Sequence, residues 1–212
     1  MTDPRTLAIF DFDKTLVARD SFRLFGGLGA SGPVERALLL GYAALARIGV
    51  ISNTRYKVLV LQRVWLRRRA AARAVLLTRV QEALQGLVVE STTTALRAHL
   101  DRGDRVAVLT ASPEFYIASF LADISPAIEL HGSQVQERDG KIRLENLYGK
   151  RKAAVAGTLI TEMQPGLVHV YTDHEHDIAL MRLAGRVSLI RPKAATIAAV
   201  EKAGIEFDVL AT

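Results

Sequence analysis

A short apolar run that ends in two closely spaced carboxylates constrains this chain more than any other feature of its sequence. The run Leu7–Phe10 is followed by Asp11 and Asp13. A buried strand that ends in charge is typical of open α/β sheets, which bind ligands at the carboxyl ends of their strands. Two neighbouring carboxylates repel each other unless a cation is present, and Mg²⁺ prefers oxygen ligands. The stretch therefore predicts either a magnesium site or an ordinary Asp-x-Asp turn.

The composition suits one large domain, or one domain with an insertion, in a chain of 212 residues of which 50% are hydrophobic. The chain can therefore bury a substantial core. It contains no cysteine, which excludes disulfides, zinc–thiolate sites and a cysteine nucleophile. Residues Met1–Arg5 lack the basic-then-apolar pattern of a signal peptide and lead directly into the first strand. The expected location is therefore cytoplasmic.

The positive charge is concentrated in one segment. The formal net charge is +6, but Arg36 to Arg79 contains ten Lys or Arg and no acid, so the rest of the chain carries −4. This segment is either a solvated helical face or a surface that attracts an anionic substrate, a membrane or nucleic acid. Few aromatic residues lie among the basic ones, so no nucleic acid is expected as a partner. Peripheral membrane contact is a lesser alternative to the solvated face.

Residues 17–91 have helical spacing of their apolar positions. We predict a helix that begins near Phe22, a breaker-rich connection over 26–33, and helices over 34–48, 54–68 and 69–84. The nearly uncharged stretch 37–50 is shorter than the roughly 20 residues that a membrane span needs, and it predicts a buried or interfacial helix. This pattern predicts an all-helical insertion.

Strands and helices alternate again after residue 92. Apolar runs predict strands over 106–109, 127–130, 167–171 and 187–190, and Asp139-Gly140 between two alternating segments predicts a hairpin. Helices are predicted over 92–101, 113–121, 152–163 and 178–183. The pattern predicts an α/β fold with a parallel sheet flanked by helices. We expect residues 1–16 and 92–212 to form the core domain and residues 17–91 to form the insertion.

Three of the apolar runs end in polar side chains. Asp11 and Asp13 follow the first run, residues 110–112 (Thr-Ala-Ser) follow the second, and Asp173 with Asp177 follows the third. If these strands are parallel neighbours, their carboxyl ends meet in one crevice. Each group alone has an ordinary explanation as a turn or a helix cap. Their joint placement predicts a site for a metal and an anion.

The order and spacing of these groups resemble the motifs of the haloacid dehalogenase (HAD) superfamily. Residues 11–15 match the first motif of its phosphotransferases, Asp-x-Asp-x-Thr, and Thr110 matches the second, a Ser or Thr at a strand end. Residues 173–177 match the fourth motif, Asp-x-x-x-Asp. Lys152 matches the lysine of the third motif, with Lys150 as the other choice. The helical insertion occupies the place of a C1 cap, so the chain is most similar to the phosphoserine-phosphatase-like branch, which has a Rossmann-like core.

The resemblance implies a nucleophile, an acid–base group and a metal site. Asp11 would attack phosphorus to form an aspartyl-phosphate, and Asp13 would protonate the leaving oxygen and later activate water. The Asp11 carboxylate, the Asp13 backbone carbonyl and Asp173 would bind Mg²⁺, with Asp177 positioning its water shell. These roles make chemical sense, because a carboxylate nucleophile repels a phosphate dianion unless cations neutralise the charge.

The resemblance also implies the residues around the phosphate and the substrate. Thr110 and the Ala111 amide would hold phosphate oxygens, with Ser112 beside them, and Lys152 would neutralise charge. Asp20 takes the place of a glutamate that faces the substrate amine in phosphoserine phosphatases, and it is equally well explained as a helix cap. Ala111 and Ser112 stand where those enzymes carry a Gly-Gly pair. The resemblance thus implies the reaction without implying phosphoserine as the substrate.

The sequence predicts a Mg²⁺-dependent phosphatase that hydrolyses a small phosphomonoester. One alternative is a phosphotransferase or phosphomutase that passes the same aspartyl-phosphate to another acceptor. A non-enzymatic protein that binds an anionic partner or a membrane surface through its basic cap is the other alternative. The predicted set Asp11, Asp13, Lys152 and Asp173 argues against the last of these.

Overall fold

The computed structural model describes residues 6–210, so Met1–Arg5, on which the expectation about a signal peptide rests, lie outside the described part. Its strands are β1 Thr6–Phe10, β2 Arg105–Pro113, β3 Glu129–Arg138, β4 Lys141–Glu145, β5 Leu167–Thr172, β6 Arg186–Ile190 and β7 Asp208–Leu210. They form one sheet in the order β4-β3-β2-β1-β5-β6-β7. All neighbours are parallel except β3 and β4, which form the predicted hairpin.

Helices cover the sheet and fill the long connection between β1 and β2. They are α1 Ser21–Gly29, α2 Pro33–Arg47, α3 Asn53–Leu61, α4 Ala70–Gln85, α5 Glu90–Asp101, α6 Ala118–Ile124, α7 Lys150–Met163, α8 Ile178–Met181 and α9 Ala194–Lys202. α3 continues in a π-helical turn over Gln62–Leu66. Among residues 6–210, no helix is long and apolar enough to cross a membrane. The predicted α/β fold, with a mostly parallel sheet flanked by helices, is confirmed.

The core lies on both faces of the sheet because side chains alternate along its strands. In β1, Ala8 and Phe10 belong to one apolar cluster, and Leu7 and Ile9 belong to the other. The first cluster also contains buried residues of α1, α3 and α4, while the second contains residues of α7, α8 and α9. Burial on both faces explains why β1 reads as a continuous apolar run.

The helical insertion, which we define as α1 to α4, leaves and rejoins the rest of the chain through two adjacent segments. The Ala18 amide donates to the Leu87 carbonyl at 2.7 Å, and the Val89 amide donates to the Leu16 carbonyl at 2.9 Å. The insertion packs on the same apolar cluster as one face of the sheet. The division of the chain into a core domain and a cap of residues 17–91 stays a prediction.

Helix α1 extends through glycines that the sequence analysis assigned to a connection over 26–33. A Cβ atom at Gly29 would overlap Cγ1 of Val64 and would lie 3.2 Å from Cδ2 of Leu76. Gly29 therefore allows α1 to lie close to the buried side chains of the neighbouring helices, and it does not break the helix earlier. The prediction of a connection from residue 26 was wrong, because tertiary packing outweighs the low helix propensity of glycine.

The prediction of a helix over 113–121 was also wrong about where the helix begins. Strand β2 continues to Pro113, a turn of 3₁₀ helix follows over Glu114–Tyr116, and α6 begins only at Ala118. Proline is common at the first position of a helix, which explains the prediction, but Pro113 is extended here with ψ 132°. The pairing of β2 with β3 shifts register between Leu109 and Pro113. This irregular strand end includes the predicted phosphate-binding residues 110–112.

The apolar stretch 37–50 is helical over most of its length, but it is not buried. Of the residues of α2, only Leu39 is buried. The buried form of the prediction was therefore wrong, and most of this helix surface faces solvent.

Candidate active site

The predicted site residues meet at one edge of the sheet. β1 lies between β2 and β5 and is parallel to both, with Phe10 opposite Val108 on one side and Tyr171 on the other. Asp11 directly follows β1, Thr110 lies near the end of β2, and Asp173 directly follows β5. The structure thus brings the three polar strand ends to the same crevice, as expected for an open α/β sheet.

A tight turn after β1 sets the positions of the two closely spaced carboxylates. The Phe12 carbonyl accepts hydrogen bonds from the Leu16 amide at 2.9 Å and from the Val17 amide at 3.2 Å. Lys14 adopts the left-handed conformation with φ +60°. Phe12 is buried in the core, so Asp11 and Asp13 on either side of it face away from that core.

Asp11 is paired with a buried lysine. Lys152 Nζ lies 2.7 Å from Asp11 Oδ1 and 2.8 Å from Asp177 Oδ2, and the lysine is only 4% exposed. Burial disfavours its charge, but Asp11 and Asp177 together raise its pKa above the usual range. Lys150 is exposed. Of the two candidate lysines, only Lys152 contacts the carboxylates of the crevice.

Burial and mutual repulsion disfavour the ionised forms of the carboxylates in the crevice. Burial raises the pKa of Asp11 to about 7; Lys152 opposes this shift, while Asp177 and Asp173 add to it. Burial also raises the pKa of Asp173 to about 6, although Lys14 Nζ lies 3.6 Å from its Oδ2. A group of mutually repelling, buried carboxylates favours the binding of a cation.

The donor set fits Mg²⁺ in its chemistry. Within residues 6–210, no group of three or more His, Cys, Asp or Glu side chains is placed to hold a metal ion. The predicted ligands require only two such side chains, Asp11 and Asp173, because the third ligand is the Asp13 backbone carbonyl. All three supply oxygen, which Mg²⁺ prefers, and Mg²⁺ usually keeps several waters. Asp177, whose Oδ2 also accepts from Thr172 Oγ1 at 2.8 Å, is held by protein donors.

Asp13 has neighbours of a different kind. Its Oδ1 accepts from the Ser21 amide and its Oδ2 accepts from Ser112 Oγ, both at 2.6 Å. Ser21 Oγ lies 3.0 Å from Ser112 Oγ and 3.1 Å from the Tyr116 hydroxyl. Burial raises the pKa of Asp13, and the nearby charge of Asp20 adds to the effect. Asp13 is therefore bonded to a backbone amide and to the first of three linked hydroxyl groups, whereas Asp11 is bonded to a lysine.

The end of β2 is fixed by hydrogen bonds around the predicted phosphate-binding residues. The Ser112 amide donates to the buried Thr110 Oγ1 at 3.1 Å. The Ala111 carbonyl accepts from Ser133 Oγ at 2.6 Å and from Lys57 Nζ at 2.5 Å. Ser112 is held through its hydroxyl by Asp13. These bonds limit the freedom of the segment that the resemblance assigns to phosphate.

Lys57 is a residue of this site that the sequence analysis missed. It comes from α3, is 5% exposed, and also donates to Asn146 Oδ1 at 3.1 Å. Burial lowers its pKa to about 8, although the charges of Asp13 and Asp20 oppose the shift. The available signal was periodicity, because buried residues follow Lys57 on the same helical face at positions three, four and seven further along, namely Val60, Leu61 and Val64.

Asp20 forms the helix cap that was one of its two predicted roles. Its Oδ1 accepts from the Arg23 amide at 2.9 Å at the start of α1. Its Oδ2 lies 3.5 Å from Arg23 Nε. It is also close enough to Asp13 and Lys57 to shift the pKa of both. A role for Asp20 in substrate binding stays a prediction.

Comparison with known families agrees with these motifs and this fold. The family model described as haloacid dehalogenase-like hydrolase matches residues 8–182. The chain therefore belongs to the haloacid dehalogenase-like hydrolase family. A search of curated proteins found no match.

Solved structures with similar folds include phosphoserine phosphatases. A protein of unknown function from Bordetella pertussis Tohama I has a TM-score of 0.85 at 19% identity, covering 98% of this chain and 100% of that one. A substrate-bound phosphoserine phosphatase complex has a TM-score of 0.72 at 13% identity, covering 100% and 94%. A phospho-aspartyl intermediate analogue of phosphoserine phosphatase has a TM-score of 0.68 at 14% identity, covering 99% and 95%. At these identities the similarity establishes a phosphoserine-phosphatase-like fold.

Proposed function

We propose that this protein is a Mg²⁺-dependent phosphatase that hydrolyses a small phosphomonoester through an aspartyl-phosphate on Asp11. One observation carries the proposal. Asp11 is paired with the buried Lys152, whereas Asp13, two residues further on, is bonded only to amide and hydroxyl donors among the described residues. Two carboxylates with such different neighbours suit two different chemical tasks.

Asp11 is the proposed nucleophile. Its carboxylate must be ionised to attack phosphorus. The ammonium group at 2.7 Å favours the ionised form and opposes burial, which raises the pKa of Asp11 to about 7. The attack forms a bond between Asp11 and phosphorus and breaks the bond to the leaving oxygen. Lys152 also offsets the repulsion between the carboxylate and the incoming phosphate dianion. A bound Mg²⁺ would supply further charge neutralisation at the same oxygens.

Asp13 is the proposed acid and base. Its raised pKa allows the carboxyl group to carry a proton that it donates to the leaving alcohol oxygen. The ionised carboxylate then takes a proton from the water that attacks the aspartyl-phosphate. Ser112 and Ser21 hold the side chain by both oxygens, which keeps it oriented through the two steps.

Positive charge from the helical insertion complements that of the core. Lys57 brings an ammonium group to the Ala111 carbonyl near the end of β2, whereas Lys152 lies beside Asp11. Its charge lies close to Asp13 and Asp20. Phosphoryl transfer depends mainly on positioning and charge neutralisation, and two lysines from different parts of the chain suit a dianionic substrate. The fold shared with phosphoserine phosphatases supports a small phosphorylated substrate without fixing its leaving group.

The test is phosphate release from a panel of phosphomonoesters, with and without Mg²⁺, by the parent chain and by Asp11→Asn. We expect turnover that depends on Mg²⁺ and falls to background in Asp11→Asn, since the amide is not a nucleophile. Asp139→Asn is the control carboxylate variant, because Asp139 is exposed in the turn between β3 and β4 with φ +53°, a conformation that Asn also adopts. Absence of turnover on every substrate, or equal rates for Asp11→Asn and the parent chain, would contradict the proposal.

A further inference from the structure

Helix α2 exposes a continuous apolar surface. Its exposed apolar residues recur with helical spacing on one side of the helix, and they include two large side chains near its centre and end, Leu40 and Ile48, which are 70% and 71% exposed. We call this set the α2 stripe: Val34, Ala37, Leu40, Gly41, Ala44, Leu45 and Ile48. The opposite side of the helix packs on the protein through Leu39.

The arrangement is the reverse of that of an ordinary surface helix. Such a helix directs its apolar side to the core and its charged side to solvent. Scattered exposed apolar residues are normal, but a contiguous stripe marks an interaction surface. The exposed apolar surface continues beyond the helix at Val50, which is 64% exposed.

Arginines border the α2 stripe. Arg36 and Arg47 are exposed, and both lie on the edge of the helix beside Leu40. A groove of about 610 Å³ lies at the beginning of α2 and is lined by Val34 of the stripe. Its charged lining consists of three arginines and one acid, Arg63, Arg67, Arg68 and Glu35. The groove is therefore net positive, and it adjoins the apolar stripe directly.

The arginines of the basic segment 36–79 differ in whether they bond to other groups of the protein. Arg68 donates to the Val64 carbonyl at 2.6 Å and also to the Gly29 carbonyl, and Arg73 pairs with Glu137 at 2.6 Å. These two side chains hold helices and strands together. Arg67, by contrast, is exposed at the groove. Structural bonds thus account for only part of the basic segment.

We propose that the α2 stripe and the arginine groove dock the protein on the surface of an anionic lipid bilayer. An apolar helix face with arginines at its border is the arrangement of helices that lie in the membrane interface. The stripe inserts among the acyl chains near the headgroups, and Arg36, Arg47, Arg63 and Arg67 bind lipid phosphates. A second copy of the chain is disfavoured as the occupant, because pairing two such faces would bring like charges together.

An apolar cleft behind the stripe adds to the surface that lipid can cover. The cleft measures about 210 Å³ and lies among α1, α2 and α3. Leu40 belongs both to the cleft and to the stripe, and arginines stand at the border of the cleft as well. Its lining is Arg23, Gly26, Gly27, Arg36, Leu39, Leu40, Ala43, Tyr56 and Val60.

The test is flotation of the 212-residue chain with vesicles of phosphatidylcholine alone or mixed with phosphatidylglycerol. We expect binding only to the mixed vesicles and release at high salt. Arg63→Gln/Arg67→Gln should weaken binding about 25-fold, roughly fivefold for each charge removed. Leu40→Glu/Ile48→Glu should weaken it by at least about tenfold, because both substitutions place charge in the stripe.

Val209→Glu, an exposed apolar residue on β7, is the matched control and should bind like the parent chain. Asp11→Asn should also bind vesicles like the parent chain. The stripe variant, Leu40→Glu/Ile48→Glu, should release phosphate from a soluble phosphomonoester at the parent rate. These two results separate the proposed chemistry from membrane docking. Equal binding to neutral vesicles, no binding to mixed vesicles, or full binding by the stripe variant would overturn it. So would sedimentation data showing a dimer that Leu40→Glu/Ile48→Glu converts to a monomer.

Discussion

At the residue scale, neighbours that are distant in sequence distinguish the two carboxylates of the first motif. Lys152, which is 141 positions from Asp11, donates to Asp11, whereas Ser112, which is 99 positions from Asp13, donates to Asp13. Without the motif resemblance, the sequence shows two equivalent acids with one residue between them. The fold makes one of them a lysine-paired group and the other a hydroxyl-bonded group.

Replacement of the buried lysine should abolish most activity. Lys152→Met removes the ammonium group beside Asp11, and we expect kcat to fall by about 10²- to 10³-fold, as for the loss of other groups that stabilise transition-state charge. Lys150→Met is the matched control, because Lys150 is exposed and only two residues away. Steady-state rates of phosphate release, with folding checked by circular dichroism, provide the measurement. Similar losses in both variants would show that Lys152 has no special role.

The buried lysine from the helical insertion should give the reaction an alkaline limit. Burial lowers the pKa of Lys57 to about 8, so its charge is present below that pH and is lost as the pH rises through it. If the charge attracts the phosphate dianion, kcat/KM should decline above about pH 8 in the parent chain. In Lys57→Arg the decline should disappear, because arginine stays charged. A profile with the same alkaline limb in both proteins would assign the limb to another group.

At the element scale, local sequence pattern predicted the sheet well and predicted the contacts between helices poorly. Strands such as β1 and β5 are buried on both faces, so their continuous apolar runs were sufficient to predict them as strands. The first helix was cut short at Gly26 in the prediction, because glycine usually ends helices, whereas the structure uses Gly29 for close packing on Val64. Helix α9 and strand β7 were not predicted at all. Such features depend on contacts that a single sequence does not display.

The close packing of α1 yields a direct stability prediction. Gly29→Ala would place a Cβ against the branched side chain of Val64, and overpacking of this kind typically costs about 1 to 3 kcal/mol. Gly27→Ala is the control, since a Cβ there meets nothing within 4 Å. It should stabilise the helix by roughly 0.5 to 1 kcal/mol. Urea unfolding of both variants gives the two free energies of unfolding, and equal values would show that Gly29 is not required for packing.

At the scale of the whole molecule, the candidate site was predictable in its core members and not in its supporting contacts. Asp11, Thr110, Lys152 and Asp173 carry motifs at strand ends or helix starts, and the sheet order brings them together. Lys57 carries no motif and reaches the site because its side chain extends from α3 to the Ala111 carbonyl, 54 positions away. The supporting hydroxyls of Ser133 and Tyr116 are likewise visible only after folding.

Buried histidines behind the site should limit the stability of the whole molecule in acid. Burial lowers the pKa of His169 to about 4 from its usual 6.5, and His99 nearby adds to the shift. The unfolded chain then binds more protons than the folded one between these values, so the free energy of unfolding should decrease as the pH falls from about 6.5 to about 4.

His169→Gln should make this decrease shallower, because Gln can still bond Ser188, which lies 2.9 Å from His169 Nε2, but does not titrate. His131→Gln, a substitution on β3, is the control. Urea unfolding at a series of pH values measures the effect. An unchanged slope in His169→Gln would contradict it.

Transfer of the phosphoryl group to Asp11, and from Asp11 to water, is the step on which the proposed function depends. It is tested most directly by rapid acid quench during turnover, followed by mass spectrometry of the peptide that contains Asp11. With p-nitrophenyl phosphate, whose leaving group departs without a proton from Asp13, we expect a phosphorylated Asp11 peptide in the parent chain and a larger phosphorylated fraction in Asp13→Asn, because loss of the base then slows only the hydrolysis of the aspartyl-phosphate. Turnover with no phosphorylated peptide in either protein, or with phosphate on another residue, would contradict this role of Asp11.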